Sequence, residues 1–211
     1  MTVILLRHGE STANIGGVLA GRTPGVDLTD KGTGQARAVA ERLGTVTAIV
    51  RSPMLRCERT VAPLAERTGL TPIVENDISE VDYGEWTGRA IKDLLAEPLW
   101  TIIQRHPSGA VFPGGEGLQT MQRRAVDAIK RRDREFGRDT VWVACTHGDV
   151  IKAVLADALG IHLDGYQRLH VSPASISVIR YSDTGPLVLR MNDGGADLGL
   201  DGNNGTVRPG G

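Results

Sequence analysis

Short apolar runs alternate with patterns typical of amphipathic helices along most of this sequence. The runs at residues 3–6 and 141–145 are almost entirely apolar and stop at polar residues, which is typical of strands buried on both faces. Strands are predicted at residues 3–6, 48–50, 72–74, 141–145, 174–181 and 187–191. Helices are predicted at residues 28–44, 53–69, 117–137 and 151–159. This alternation predicts an α/β fold, a three-layer sandwich whose mostly parallel central sheet carries helices on both faces.

Two of the predicted helices begin at hydroxyl side chains. Thr29 is expected to cap the first helix, because a threonine oxygen can accept a hydrogen bond from the exposed N–H groups of a helix start. Ser52 is expected to cap the second helix, since Pro53 follows it and proline is favoured at the first helical position.

The segment at residues 84–117 breaks the alternation of strands and helices. It contains three prolines, and we predict that it is an inserted lid over the end of the sheet. Its aromatic side chains, Trp86, Trp100 and Phe112, are expected to set the shape of the substrate. A length of 211 residues suits one domain with such an insertion.

Glycine is concentrated at the end of the chain. Seven of the 27 glycines lie in the last 19 residues, a stretch with few apolar side chains. Such a composition is typical of a segment that does not pack. We therefore predict a single domain at residues 1–192 and a flexible glycine-rich tail at residues 193–211.

The charge balance argues against a nucleic-acid-binding protein. The chain has 24 basic and 25 acidic side chains and a net charge of -1, so no overall field attracts a polyanion. Basic side chains in the predicted helix at residues 117–137 alternate with acidic ones, and we interpret this face as solvated. These basic side chains are Arg123, Arg124, Lys130, Arg131, Arg132 and Arg134.

The sequence gives no sign of a membrane or a disulfide-forming environment. No apolar run approaches the roughly 18 residues of a membrane span, so we expect neither an anchor nor a secretory signal. Two cysteines, Cys57 and Cys145, cannot form a disulfide framework. We therefore expect a cytoplasmic protein and interpret Cys145 as a core residue.

Reactive polar groups follow three of the predicted strands. Arg7 and His8 follow the first strand, Arg56 lies one turn into the helix after the second, and His147 follows the fourth. Ligands of parallel sheets bind outside the carboxyl ends of the strands. Two guanidinium groups and two imidazoles that meet there indicate an oxyanion site, most economically a phosphate site.

Each of these histidines is followed by a glycine, Gly9 and Gly148. Glycine lets the backbone turn sharply and leaves its N–H groups free to face an anion. The glycines therefore support the phosphate interpretation.

Other ligand classes fit the sequence poorly. The chain has no P-loop for a nucleoside triphosphate, and its GTGQAR segment at residues 32–37 lies inside a predicted helix. Arginines beside both histidines repel a metal cation. We expect neither a metal nor a cofactor. The remaining histidines, His106, His162 and His170, lack a motif and are interpreted as surface or structural residues.

Five ordered blocks of the sequence resemble the histidine phosphatase superfamily, in its phosphoglycerate mutase-like branch. The blocks are LLRHGES at residues 5–11, LTDKG at 28–32, SPMLR at 52–56, SEVDYGEWTG at 79–88 and CTHGD at 145–149. The resemblance covers about residues 1–180. It implies a phosphoglycerate mutase-like fold and hydrolysis or transfer of a phosphoryl group through a covalent phosphohistidine, without a metal. It also implies a homodimer, since members of the family are often dimers.

The resemblance also implies roles for individual residues. His8 matches the nucleophile, and it must be neutral to attack phosphorus. Arg7 and Arg56 match the arginines that clamp the phosphoryl group, and their charges lower the pKa of a neighbouring imidazole. His147 matches the second histidine, which stabilises the transferring phosphoryl group. Asn14 matches a polar side chain that contacts phosphate.

Glu80 matches the carboxyl group that protonates the departing alkoxide and then takes a proton from the attacking water. A glutamic acid with an ordinary pKa near 4.3 is almost fully ionised at pH 7. Burial beneath the insertion and a nearby phosphate dianion would raise that pKa. We therefore expect a hydrolysis optimum on the acid side of neutral.

Three functions remain open at this point. The resemblance covers phosphatases and mutases, and a phosphate-binding module without turnover is a third hypothesis. Thr87 stands where the family usually has a glutamate, and residues 84–117 lack the basic and proline-rich run expected of a mutase. These departures favour a phosphatase that acts on a small phosphorylated metabolite. A sugar phosphate, a phosphoglycerate derivative, a nucleotide and a cobalamin-precursor phosphate all remain open as substrates.

Overall fold

The computed structural model describes residues 1–137 and 139–195. Most of the predicted glycine-rich tail therefore lies outside the described residues. The three described residues at its start include Asp193, which ends the last strand and contacts Arg42 through a 2.7 Å ion pair.

A single six-stranded sheet forms the centre of the fold. Its strands are β1 (Thr2–Arg7), β2 (Ala48–Arg51), β3 (Ile73–Val74), β4 (Val141–Thr146), β5 (Ile176–Ser182) and β6 (Gly185–Asp193). Their order across the sheet is β3-β2-β4-β1-β5-β6. The pairs among β3, β2, β4 and β1 are parallel, whereas β5 is antiparallel to both of its neighbours. The predicted mostly parallel sheet is confirmed.

Seven α-helices surround this sheet in the described part of the chain. They are α1 (Thr12–Gly16), α2 (Asp30–Arg42), α3 (Leu55–Thr68), α4 (Ile91–Leu94), α5 (Pro98–Arg105), α6 (Leu118–Phe136) and α7 (Gly148–Leu159). The four long helices among them, α2, α3, α6 and α7, are the predicted ones. None of these described helices combines the length and the apolar character needed to cross a membrane.

Alternating side chains of the central strand pack against different helices. Val3 and Leu5 of β1 belong to the apolar cluster that includes buried residues of α6 and α7. Ile4 and Leu6 belong to the cluster that includes buried residues of α2 and α3. Successive strand residues point to opposite faces, and each buried aliphatic side chain contributes about 1.5–3 kcal/mol. Both faces of the sheet are therefore covered, as the predicted three-layer sandwich requires.

The predicted start of one helix is confirmed and that of the other is wrong. Thr29 caps α2, and its hydroxyl oxygen accepts a 3.0 Å hydrogen bond from the backbone N–H of Gly32. The helix α3 begins at Leu55, after Met54 rather than Ser52, and has no side-chain cap. The hydroxyl of Ser52 instead lies 2.8 Å from Nε2 of His147, a tertiary contact that local sequence signals cannot reveal.

The inserted segment at residues 84–117 is anchored to the core by its aromatic side chains. Trp86 and Phe112 are both buried, and their ring centroids lie 5.5 Å apart. Trp100 stacks on Trp86 at a centroid distance of 6.4 Å. These rings belong to or pack against the same cluster as α6 and α7. The aromatic side chains therefore pack inward and hold the segment against the body of the protein.

Two backbone segments cross closely where the loop after β1 meets α2. A Cβ atom on Gly32 would lie 2.0 Å from the carbonyl oxygen of Glu10, and a Cβ on Gly9 would lie 2.7 Å from the carbonyl oxygen of Gly32. Backbone atoms on both sides cannot move apart without shifting the loop. The loop that carries His8 therefore depends on glycine at these two positions.

This crossing predicts opposite effects of two substitutions in the same helix. Gly32→Ala should lower the free energy of unfolding by roughly 1–3 kcal/mol, because its methyl group overlaps a backbone oxygen. Gly34→Ala should raise it by roughly 0.5–1 kcal/mol, because Gly34 is exposed in α2 and its Cβ would have no neighbour within 4 Å. Urea denaturation of both variants measures the difference. Equal stabilities would show that the crossing relaxes without cost.

Candidate active site

The carboxyl ends of β1, β2 and β4 meet at one edge of the sheet. His8 follows β1 and donates its backbone N–H to Thr146, while Ser52 follows β2 and donates its N–H to Cys145, at 3.0 and 2.9 Å. His147 follows β4 directly. The ring centroids of His8 and His147 lie 5.3 Å apart at an interplanar angle of 61°. The structure therefore brings together the two imidazoles that the sequence analysis expected to meet.

One hydrogen bond fixes which nitrogen of His8 carries the proton. Nδ1 lies 2.8 Å from the carbonyl oxygen of Gly9. A carbonyl oxygen can only accept, so Nδ1 is the protonated nitrogen and Nε2 keeps its lone pair. Burial, followed by the charges of Arg56 and Arg7, holds the pKa of His8 well below its usual value. The ring is therefore neutral and presents a nucleophilic nitrogen.

Two buried guanidinium groups lie beside these rings. Arg7 donates to the carbonyl oxygen of Val171 at 2.7 Å, and Arg56 donates to that of Gly21 at 2.8 Å. Each residue is 2% exposed, and among the described residues the Nε of Arg7 and an Nη of Arg56 have no hydrogen-bond partner. Burial lowers the pKa of Arg7 to about 10, which still leaves it charged at neutral pH. Buried charged donors without partners are arranged to bind an anion.

His147 is fully buried and held from both of its nitrogens. Arg56 lies 3.1 Å from Nδ1, and the hydroxyl of Ser52 lies 2.8 Å from Nε2. A guanidinium can only donate, so Nδ1 accepts here and Nε2 donates to the serine. Burial and then the charge of Arg56 keep the pKa of His147 well below its usual value. Ser52 thus orients this ring, a role that the sequence analysis missed.

Glu80 is buried beside His147. Its Oε1 accepts a 2.9 Å hydrogen bond from the N–H of Val81, and its Oε2 lies 3.8 Å from Nδ1 of His147. Burial, and after it the charge of Asp149, raises the pKa of Glu80 to about 7 against the lowering effect of Arg56. The carboxyl group can therefore gain or lose a proton near neutral pH.

Two arginines hold the backbone of Glu80 in place. Arg22 and Arg124 donate to its carbonyl oxygen at 2.9 and 3.1 Å. Glu116, at the end of the inserted segment, contacts both arginines and accepts from the N–H of Asp82 at 2.9 Å. The interpretation of Arg124 as part of a solvated helix face is therefore wrong, because its guanidinium group reaches inward to this loop.

A small pocket lies beside these groups, and Arg7 and His147 are not among the described residues that line it. It is lined by His8, Ser11, Asn14, Ala20, Gly21, Arg56, Glu80 and Tyr83. Within the described residues, the inserted segment contributes no side chain to this lining. Its role as a lid stays a prediction, whereas Trp86 and Phe112 pack into the core instead of shaping the pocket.

Asn14 and Gly9, two of the other predicted phosphate contacts, have hydrogen-bond partners within the protein. Asn14 lines the pocket, but its amide oxygen accepts hydrogen bonds from the N–H and hydroxyl of Ser11, both at 3.0 Å. The N–H of Gly9 is not free for an anion, because it donates to the hydroxyl of Thr60 at 2.9 Å. Gly148 is the first residue of α7, where helix N–H groups favour anions.

Tyr83 and Asp149 contribute to the site without having been singled out from the sequence. Tyr83 lines the pocket, and its hydroxyl donates to Asp149 at 2.8 Å. Both lie within recognised blocks, three residues after Glu80 and two residues after His147. This proximity in sequence to Glu80 and His147 could have indicated that Tyr83 and Asp149 lie near the site. Among the described residues, no group of three or more histidine, cysteine, aspartate or glutamate side chains could hold a metal ion.

Sequence comparison identifies named relatives of two kinds. Phosphoserine phosphatase 1 of Hydrogenobacter thermophilus is 28% identical over 198 residues, covering 90% of this chain and 91% of the relative. The probable phosphoglycerate mutase GpmB of an Enterobacter species is 29% identical over 189 residues, covering 87% of this chain and 86% of the relative. The chain spans about half the length of its mycobacterial relatives, of which it covers 52%.

Structure comparison gives the same fold. The mycobacterial glucosyl-3-phosphoglycerate phosphatase in complex with VO3 superposes with a TM-score of 0.81 at 26% identity, covering 90% of this chain and 98% of that chain. The family model of the histidine phosphatase superfamily (branch 1) matches residues 3–194. The phosphoglycerate mutase-like fold is thereby confirmed, and the chain belongs to branch 1 of the histidine phosphatase superfamily.

Proposed function

We propose that this protein is a phosphomonoesterase that hydrolyses a small phosphorylated metabolite through a phosphohistidine. The observation that carries the proposal is the meeting of two buried neutral imidazoles and two buried guanidinium groups at the carboxyl ends of the strands, where His8 and Arg56 line one pocket. Such a site binds an anion and offers it a nucleophilic nitrogen. The named phosphatase among the relatives supports the same activity.

In the first step, Nε2 of His8 attacks phosphorus and forms a phosphorus–nitrogen bond as the bond to the ester oxygen breaks. The unpartnered N–H groups of Arg7 and Arg56 bind the phosphoryl oxygens and stabilise the charge that spreads over them. The protonated carboxyl of Glu80 gives its proton to the departing alkoxide. Neutral His147, beside His8 and Arg56, stabilises the transferring phosphoryl group from this side of the site.

In the second step, water attacks the phosphohistidine. The Glu80 carboxylate takes one proton from the water as the new phosphorus–oxygen bond forms and the phosphorus–nitrogen bond breaks. His8 returns to its neutral state, and inorganic phosphate leaves. A pKa of Glu80 near 7 suits this double task, since the same group must be an acid in one step and a base in the next.

Hydrolysis is favoured over a mutase reaction by the charges around the pocket. A phosphoglycerate mutase must also hold its substrate's carboxylate with a cation. Arg56 is the only cationic side chain in the described pocket lining, and it lies against the phosphate site. Two nearby arginines are already paired, Arg22 with Glu116 and Arg89 with Glu97, at 2.9 and 2.8 Å. The mutase named among the relatives keeps phosphoryl transfer as the second candidate function.

The proposal also includes a cytoplasmic location, metal-independent turnover and a homodimer. Free Cys57 and Cys145 are both buried, which suits a reducing compartment.

Substitution of His8 tests the covalent mechanism. His8→Ala should lower kcat for phosphate release by at least about 10³-fold, because the variant lacks the attacking nitrogen. Rapid quenching of the wild-type protein with a ³²P-labelled phosphomonoester should trap a base-stable, acid-labile phosphoryl group, and the variant should trap none. A panel of phosphomonoesters, including 3-phosphoglycerate with and without 2,3-bisphosphoglycerate, identifies the reaction.

His162→Ala is the matched control, because the His162 side chain is 74% exposed and contacts Asp164. It should keep the activity and the label. Isomerised phosphoglycerate without phosphate release would establish the mutase instead. Tight phosphate binding with no turnover of any ester would leave only a binding module.

The pKa of Glu80 predicts the pH profile. The acid must be protonated at the start of each cycle, so kcat/KM should be high below pH 7 and fall by about tenfold for each pH unit well above the pKa of about 7. His8 stays neutral through this range because its pKa is lowered. Glu80→Gln should lower kcat by about 10²–10⁴-fold for alkyl esters.

Leaving-group chemistry separates the two roles of Glu80. Phosphorylation of His8 by p-nitrophenyl phosphate needs little protonation of the departing oxygen, so the Glu80→Gln burst of p-nitrophenol should be nearly as fast as in the wild type. A wild-type kcat/KM profile that is flat to pH 9 would exclude Glu80 as the acid. Phosphorylation of His8 that is slowed equally for p-nitrophenyl phosphate and for alkyl esters in Glu80→Gln would exclude it as well.

A further inference from the structure

A cluster of buried polar groups lies behind the pocket and has no role in the proposed steps. Its centre is Asp149, which is 1% exposed in the first turn of α7. The Tyr83 hydroxyl donates to Oδ2 at 2.8 Å, and the Lys152 ammonium group lies 3.5 Å from Oδ1. Lys152 also lies 5.7 Å from the ring centroid of Tyr166 and 3.3 Å from the side-chain oxygen of Gln167.

These contacts are arranged for an ionised aspartate. Both carboxylate oxygens face donors, a hydroxyl and an ammonium group, and an ionised carboxylate is an acceptor only. A buried charge is retained when it is paired and hydrogen-bonded. The Asp149 carboxyl group is therefore held in the protein interior between a hydroxyl and an ammonium group.

The backbone brings this charge to the edge of the catalytic pocket. Tyr83 lies three residues after Glu80, and both side chains line the same pocket. Asp149 lies two residues after His147, whose Nδ1 is 3.8 Å from Oε2 of Glu80. Asp149 is thus hydrogen-bonded to one residue of the pocket lining and lies two residues from a histidine that is close to Glu80.

Glu80 is surrounded by charges of both signs from the elements packed against it. Arg7 and His8 lie at the end of β1, Arg56 lies in α3, and His147 lies before α7. Arg22 and Arg124 donate to the backbone carbonyl oxygen of Glu80. Both histidines are neutral, so the cations favour loss of the proton from Glu80. Asp149 is the nearby anion that opposes them, with the largest effect on the pKa of Glu80 after burial.

We propose that Asp149, held by Tyr83 and Lys152, is a positioning residue that keeps the proton on Glu80 before each catalytic cycle. This inference rests on the proposed role of Glu80 as the acid. Two carboxyl groups near each other in a buried site do not readily both ionise. The charge of Asp149 therefore offsets the arginines that bind phosphate, and it extends the acid's working range upward in pH.

Asp149→Asn tests the inference, because asparagine keeps the size and an oxygen that can accept from Tyr83. In the pH profile of kcat/KM, the limb on the alkaline side should move down by about one pH unit or more. Activity at pH 7.5 should fall by roughly tenfold, since one unit of pKa changes the protonated fraction tenfold. Activity at pH 5 should stay within about twofold of the wild type.

Tyr166→Phe is the matched control, because it removes a hydroxyl from the same buried cluster without removing a charge. Its alkaline limb should stay in place. A loss of activity in Asp149→Asn that is equal at every pH would mean that Asp149 is only structural and would overturn the proposal. An unmoved alkaline limb would overturn it as well.

A measurement without turnover keeps this test separate from the proposed function. Nuclear magnetic resonance with ¹³C-labelled glutamate, assigned through Glu80→Gln, follows the ionisation of Glu80 directly in both proteins. The Glu80 titration should lie lower in Asp149→Asn by the same interval as the kinetic limb. If the titration moves while no phosphomonoester is hydrolysed, the proposed function fails and the effect of Asp149 on Glu80 stands. If the titration does not move, the inference fails whatever the activity.

Discussion

Burial of two arginines beside two histidines is the constraint on which this site depends. Within the described part of the chain, Arg7 and Arg56 are buried without a carboxylate in direct contact, and each has a side-chain nitrogen without a hydrogen-bond partner. Such an arrangement is costly in an empty protein, because unpaired buried charges lose their hydration. The same groups bind a phosphoryl anion strongly, since charged hydrogen bonds gain strength where water is excluded. Burial, and after it the positive charges of Arg56 and Arg7, keeps His8 neutral, so the groups that bind the anion also support the nucleophile.

The surrounding fold holds this unfavourable arrangement together. The segments that carry His8 and Ser52 each leave a strand of one sheet, and their first backbone hydrogen bonds go to β4, from His8 to Thr146 and from Ser52 to Cys145. Glu80 has no strand beneath it, since it follows a short 3₁₀ helix. Its carbonyl oxygen is held by Arg22 and Arg124, and Glu116 joins these arginines. The inserted segment therefore contributes to the site indirectly, because Glu116 near its end helps to fix the backbone of Glu80.

The sequence patterns predicted those features of the structure that depend on neighbouring residues in the chain. The six strands, the four long helices and the meeting of His8 with His147 all follow from apolar periodicity and the common edge of parallel strands. Ser52 and Arg124 were misinterpreted because the partners that decide their roles, His147 and Glu80, are distant in sequence. The short helix α1 has no apolar period to reveal it, since its start is set by a capping box between Ser11 and Asn14. The five sequence blocks identified the family, whereas the contacts behind them needed coordinates.

The opposed charges around Glu80 explain why one carboxyl group can serve both steps. Burial favours the protonated form, the arginines favour the ionised form, and the balance places the pKa at about 7. A much lower pKa would leave too little acid for the leaving group, and a much higher one would leave too little base for the attacking water. The arginines that bind phosphate would by themselves lower the pKa of Glu80 and leave too little acid for the leaving group. In this chain the buried aspartate at the start of α7 adds to burial in opposing the arginines.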